Sequence, residues 1–450
     1  MKRSKIIATI CACVLCLGLL TVGVYAAVLS LNMDLTTQVS FNADGVYVDI
    51  DAQVYRGESY TELRALDATK YAASGKNYII DEAGTTLGTP FTEWTPENVA
   101  FLPNARLVQY RIKFTNKSEV AISVIPAEVT TIPTNVTLKE ESSETLLIEP
   151  AATAELRMNF TLADSVTTSF SNKSLKMNFE ICKTSDIENP VSDFIMDTTN
   201  PQQINGIKTT YSNPKYGKKI VVIPKALGAT SIDEKFDGGI TFENLTSETK
   251  YFILQGEFAK MGCYFSDVNS GEGCDLEYIH VPNSVTKFDA AAFFMCSKLK
   301  NVNIPNGITE IGDYAFYSTP ALEIVRLPEG VTKIGDMSFF DCGLEFIEIP
   351  SSVVSIGETL RPDIVEPEAG GGTFGYSSVM SIYFKGKAPI IAFAIFGDTV
   401  MHPPAANDNF KIYVKSEYLD SFKQGTSSNV DTKNASVNNW YYYASKITTY

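Results

Sequence analysis

Imidazole is almost missing from this chain. Its 450 residues include two histidines, His280 and His402, and neither sits in a pattern that activates a nucleophile or holds a metal. No G-x-S-x-G, H-E-x-x-H or phosphate-cradling glycine loop occurs. An enzyme is therefore not expected, and neither is a cofactor, a metal or a catalytic residue. His280 falls at an outward position of a short strand, and His402 precedes Pro403 and Pro404 in a loop. The Glu140–Glu141 pair lies between strands with no sign of burial, so acid–base tuning has no footing. The run from Asp267 to Glu272 fits a calcium loop only in part, because glycine and glutamate stand at its fifth and sixth positions. Positive charge is scarce too. Against 52 acidic residues there are 37 basic ones, a net charge of -15, which excludes a nucleic-acid partner.

What is abundant is repetition. From Leu276 to Ile356 one pattern is written four times, L-x-x-Φ-x-Φ-P-x-x-V-T-x-I-G-x-x-A-F-x-x-C, where Φ is aliphatic. Its prolines are Pro282, Pro305, Pro328 and Pro350, at spacings of 23, 23 and 22 residues. A fixed period in the twenties predicts a solenoid in which each coil covers the apolar edge of the last. The alternation in L-x-x-Φ-x-Φ predicts a short strand that turns Leu299, Val302 and Ile304 inward. The proline then withholds a backbone donor and turns the chain. The phenylalanine of each A-F pair (Phe293, Phe316, Phe339) recurs eleven residues after its proline, which predicts a column of rings. A fifth, degenerate unit, VMSIYFKGKAP, has Lys385 in place of proline and Phe374 as its expected aromatic, after an insertion over 358–372. Cys274, Cys296 and Cys342 share one ladder position, with Thr319 in the middle rung, and are expected as small buried hydrophobes.

The stretches VNIPNGITEIGDYAF and VRLPEGVTKIGDMSFFDC resemble the BspA-like leucine-rich repeat of bacterial and protist surface proteins. That resemblance implies adherence to host matrix, other cells or neighbouring microbes. KKIVVIPKALGATSI is expected as an atypical first coil. The segment 408–450, with KIYVKSEYLDSFKQ and NNWYYYASKI, looks like the family's terminal cap of strand, short amphipathic helix and aromatic closure.

Upstream, Lys2, Arg3 and Lys5 precede an apolar core and then Val24-Tyr25-Ala26, the layout of a secretory signal over 1–27. The uncharged run to Leu31 is also long enough to span a bilayer, so a signal anchor, and membrane attachment through this segment only, is the alternative. Alternating segments such as RLVQYRIKFTN and AELRMNFTL, separated by Asn, Gly, Pro and Ser, predict a β-sandwich, Ig-like or jelly-roll-like, over 28–183. This part is loosely similar to the camelysin and biofilm-fibre family, and it holds no histidine for a metal site. The polar, proline-punctuated stretch 184–213 is expected as a linker, and 214–450 as the repeat domain. The expected fold is mostly β: sandwich, then leucine-rich-repeat solenoid with short strands, then cap.

Aligning the repeats on proline gives outward rows of strand residues. One holds Tyr278, Asn301, Ile324, Phe346 and Ser381, and the next His280, Asn303, Arg326, Glu348 and Tyr383. Aromatics beside Arg326 and the asparagines have the composition of an interaction surface, and these residues are the expected ligand-binding face. On that view, replacing Phe346 and Arg326 together removes binding and spares stability. The expected function is a secreted or cell-surface adhesion protein with an extracellular protein or glycan ligand. A structural subunit of an extracellular matrix or biofilm fibre is the alternative.

Overall fold

Each proline of the repeat closes the same turn. The N–H of Val285, Ile308, Val331 and Val353 donates to the carbonyl of Pro282, Pro305, Pro328 and Pro350, at 3.0–3.2 Å. The computed structural model describes residues 29–34, 46–79, 99–102, 104–126, 132, 135–141, 146–163, 165–166, 174–176, 179–229, 231–232, 248–255, 260–261, 276–357, 372–392, 395–396, 409–423 and 437–450. The 1–27 signal or anchor, Cys274, His402, the 267–272 run and nearly all of the 358–372 insertion lie outside them. The described residues are mostly strand, with α-helix limited to Ala68–Tyr71 and Leu419–Phe422.

The chain divides into two units. The first comprises Met1–Phe114, Ile125–Lys139 and Arg157–Glu180, and the second Thr115–Val124, Glu140–Leu156 and Ile181–Tyr450. In the first, Tyr47–Gly57 pairs antiparallel with Arg64–Ala65 and with Ala72–Ile79. Its sheet continues through Leu107–Asn116 and Thr153–Leu162 to Val136–Glu140. Alternation fixes the buried side: Val48, Ile50, Ala52 and Val54 are inside. A separate three-stranded sheet joins Leu29–Asp34 to Ser174–Lys176 and Val99–Phe101.

In the second unit the strands stack in parallel. One ladder runs Ile220–Ile223, Tyr251–Leu254, Tyr278–His280, Asn301–Val302, and another Ile324–Arg326, Phe346–Ile349, Ser381–Phe384, Lys411–Val414, Ile447–Thr449. On the second flank six short strands pair from Lys260–Met261 to Ile390–Ile391. Tyr251–Leu254 is a coil that the proline alignment misses, because Gln255 follows where proline would mark it. At Lys385 the missing proline is used: its N–H donates to Ile349 at 3.0 Å.

Between the ladders the rings of Phe293, Phe316, Phe339, Phe374 and Phe396 stack at 5.1, 5.3, 5.7 and 5.7 Å. Phe374 takes the position expected for it after the insertion. Cys296 and Cys342 are buried, as expected, and Thr319, between them in sequence, lies 3.1 Å from the Cys342 sulfur. Two residues flanking each ring adopt left-handed backbone: Ala291 and Met295, Tyr314 and Ser318, Met337 and Asp341. A side chain there is uncommon. The cost is offset by bonds it permits, since the N–H groups of Ala291, Phe293 and Met295 reach Asp313, Ala315 and Tyr317 of the next coil at 2.7–2.8 Å.

The stretch 184–213, expected as a linker, is folded. Phe194–Met196 pairs antiparallel with Gln203–Ile207, and Phe194, Ile204, Ile207 and Tyr211 are buried in the repeat core. Asn189 exchanges bonds with Val222, accepting at Oδ1 (2.9 Å) and donating its N–H (3.1 Å), so it covers part of the first strand's edge. Four apolar side chains among many polar ones are enough to dock this stretch, and composition alone hides them. In the final stretch Trp440 is buried and donates from Nε1 to Pro389 at 2.7 Å.

Gly312 shows how tightly coils approach. A Cβ there would lie 2.5–2.6 Å from backbone atoms of Phe288 and Asp289, whereas at Gly307 the nearest atom is at 3.6 Å. Gly312→Ala is expected to cost about 2–3 kcal/mol in urea unfolding. Gly307→Ala is the control and stays near wild type.

Candidate functional site

The strand face expected to bind ligand has the expected registers. Tyr278 pairs with Asn301, Phe346 joins Ile324 to Ser381, and Glu348 joins Arg326 to Tyr383. Its exposure is the expectation that fails. Tyr278, His280, Asn301, Asn303, Ile324, Phe346 and Tyr383 are all buried, while Arg326, Glu348 and Ser381 are only partly exposed.

The burial has identifiable partners. Tyr278 stacks on Tyr251 at 4.9 Å and Tyr383 on Tyr413 at 4.5 Å. Asn303 acts as a piece of strand: its amide accepts from the N–H of Val281 and donates to the same residue's carbonyl, both at 2.7 Å. Asn301 donates to the carbonyl of Glu141 at 2.9 Å. The Glu141 carboxylate, 1% exposed, accepts from Arg326 Nε at 2.5 Å. This corrects the view of Glu141 as unburied. Arg326 also reaches Glu348 at 3.2 Å, and Lys385 meets Glu348 at 3.2 Å. Burial works against the Arg326 charge, but the bonds and charges of Glu141 and Glu348 outweigh it, and the guanidinium is held above its ordinary range. His280, expected on the surface, is enclosed, and burial pushes its pKa down to about 3. Most of this face is thus occupied by contacts within the chain.

A different row carries aromatics that are half-buried or exposed. Immediately after each core phenylalanine stands a second ring: Phe294, Tyr317 and Phe340, with Tyr376 one place later in the next coil. This second ring lies farther out than the fully buried phenylalanine before it. Phe294, Tyr317 and Phe340 are half-buried, and Tyr376 is 39% exposed. The first three stack at 4.9 and 4.9 Å with planes within 16° and 6°, and Tyr376 continues at 5.1 Å, tilted by 53°. Tyr314 packs beside Tyr317 at 5.9 Å. Met295, half-buried, directly follows Phe294, and Met337, also half-buried, stands three residues before Phe340. Asp341 follows Phe340 directly and accepts from the Ser318 hydroxyl at 2.6 Å. The Tyr317 phenol is pushed above its ordinary range, first by partial burial and then by the Asp341 charge. The signal for this row was the doubled aromatic in AFF, AFY and SFF. Aligning on the strands passes over it.

Among the described residues no group of three or more His, Cys, Asp or Glu is placed to hold a metal, and no helix is long and apolar enough to cross a membrane. Residues 268–360 match the BspA type leucine rich repeat region, in six copies. Among solved structures, the T. pallidum leucine-rich repeat protein is 21% identical over 44% of this chain and 71% of that one, with a TM-score of 0.25. A leucine rich cell surface protein from Faecalibacterium prausnitzii A2-165 is 22% identical over 44% of this chain and 54% of its own, TM-score 0.27. The pneumococcal vaccine antigen PcpA is 14% identical over 57% and 84%, TM-score 0.22. No curated protein matches the chain in sequence.

Two outcomes follow from the buried face. Replacing Phe346 and Arg326 by alanine removes a 4% exposed ring and withdraws the guanidinium from Glu141, at a cost of at least about 3 kcal/mol in chemical denaturation. His280 binds a proton more readily unfolded than folded, so its contribution is present above its unfolded pKa and is lost as pH falls below about 6.5. Between pH 7 and pH 5 that loss amounts to about 2 kcal/mol, and in His280→Leu this component of the pH dependence disappears.

Proposed function

We propose that this chain is a non-enzymatic binding protein that works outside the cell and meets an extracellular partner through the outward aromatic row. The observation that carries this reading is the row itself, three half-buried rings in register from successive coils with the exposed Tyr376 continuing them one place later and Met295 next to Phe294 in the chain. Aromatic and methionine side chains are the ones enriched where proteins meet partners. A solvated face has no use for them, since exposing a contiguous apolar strip to water costs free energy that polar residues avoid. The match of 268–360 to the BspA type repeat supports a surface role, as does the secretory layout of residues 1–27. The repeat then serves as a ruler that holds identical positions at one spacing, and adhesion is the use that suits it.

The test uses the purified full chain on an array of extracellular matrix proteins and glycans, beside a Tyr317→Ser/Phe340→Ser variant whose circular dichroism matches wild type. Spots that fall by about tenfold in the variant support the reading. Spots that persist unchanged, or an array without signal for the wild type, overturn it.

A further inference from the structure

The geometry points to a strand-like peptide segment, alternating basic and aliphatic side chains, as the occupant of the aromatic row. This rests on the reading of that row as the contact surface and names the chemistry of what it meets.

The argument starts from which parts of the rings are left open. Tyr317 lies between Phe294 and Phe340, nearly parallel to both at 4.9 Å, so both of its faces are covered. The row therefore offers ring edges. A sugar or a nucleobase stacks on an open aromatic face, and along most of this row no such face is presented. Edges instead provide an apolar ridge for aliphatic side chains.

Charge narrows the choice further. The four stretches 290–295, 313–318, 336–341 and 372–377 carry three carboxylates, Asp313, Asp336 and Asp341, and no lysine or arginine. Asp341 is exposed, and Asp313 and Asp336 are partly so. A phosphate- or sulfate-bearing partner would be repelled. Ammonium and guanidinium groups would be drawn in, with their methylene stems lying along the ring edges.

Size fixes the rest. Ring-to-ring steps of 4.9, 4.9 and 5.1 Å are spanned by about five residues of extended chain at roughly 3.3 Å each. A strip one or two side chains wide falls well short of the ~800 Å² that a folded partner buries. An extended segment fits it, with aliphatic side chains on the ridge and basic ones toward the aspartates.

Fluorescence anisotropy on the full chain tests this with three labelled probes: a lysine–valine alternating peptide of about ten residues, its glutamate–valine counterpart, and a linear neutral β-glucan hexasaccharide. The lysine–valine peptide is expected to bind at least about tenfold more tightly than either other probe. Its binding should weaken at high salt, and should weaken by about tenfold in Tyr317→Ser/Phe340→Ser. Asp336→Asn/Asp341→Asn should weaken it and flatten its salt dependence. If the glucan or the acidic peptide binds best and is lost in the aromatic variant, the surface stands and the basic-peptide assignment falls. Equal binding of the lysine–valine peptide to wild type and the aromatic variant overturns both. Failure of that peptide to bind overturns the assignment.

Discussion

The architecture of the repeat unit depends on one constraint: each coil must place its backbone N–H groups opposite the carbonyls of the next. The bonds from Phe293 to Ala315, Phe316 to Ser338 and Phe339 to Thr373 are the same bond three times. Holding them fixes the separation of coils, and that separation decides what may stand at every position. It forces glycine at 312, where backbone from the preceding coil fills the space of a Cβ. It permits left-handed residues on both sides of each ring, because the bonds gained offset their cost. It also brings rings within stacking distance at two positions, one inside and one outside.

The same constraint explains why polar residues are tolerated on the buried strand face. Ladders leave few backbone groups for side chains to satisfy, so a buried polar group needs its own partner. Asn303 finds one in Val281, and Arg326 in Glu141 and Glu348. Where the sequence lacks repeat character, side chains take over the role of strands, as Asn189 does beside Val222. Specific polar contacts thus substitute for regularity at the places where regularity ends.

Much of the repeat was legible in the residues. The proline period gave the coil, the A-F pair gave the inner column of rings, and counting through the insertion located Phe374. Strand registers such as Arg326 to Glu348 followed from the same alignment. Exposure was not legible, because it depends on contacts remote in sequence. Glu141 lies 185 residues from Arg326, and no local pattern links the two. Nor did composition reveal that Phe194 and Ile204 dock 184–213 into the core. The outward aromatic row was written in the sequence in plain view, one residue past the motif. An alignment referenced to the strand assigns outward and inward there and says nothing of the stretch after the phenylalanine.

One feature of the stacking has a mechanical side. The strand ladder is divided between Asn301–Val302 and Ile324–Arg326, while the six-stranded ladder on the other flank continues past that level without division. A load pulling the coils apart would meet a seam on one flank and a continuous hinge-leaf on the other. The unit would yield there by opening like a book, and Phe316 and Phe339, stacked at 5.3 Å between those two coils, would part while the paired strands of Ile311 and Ile334 still held.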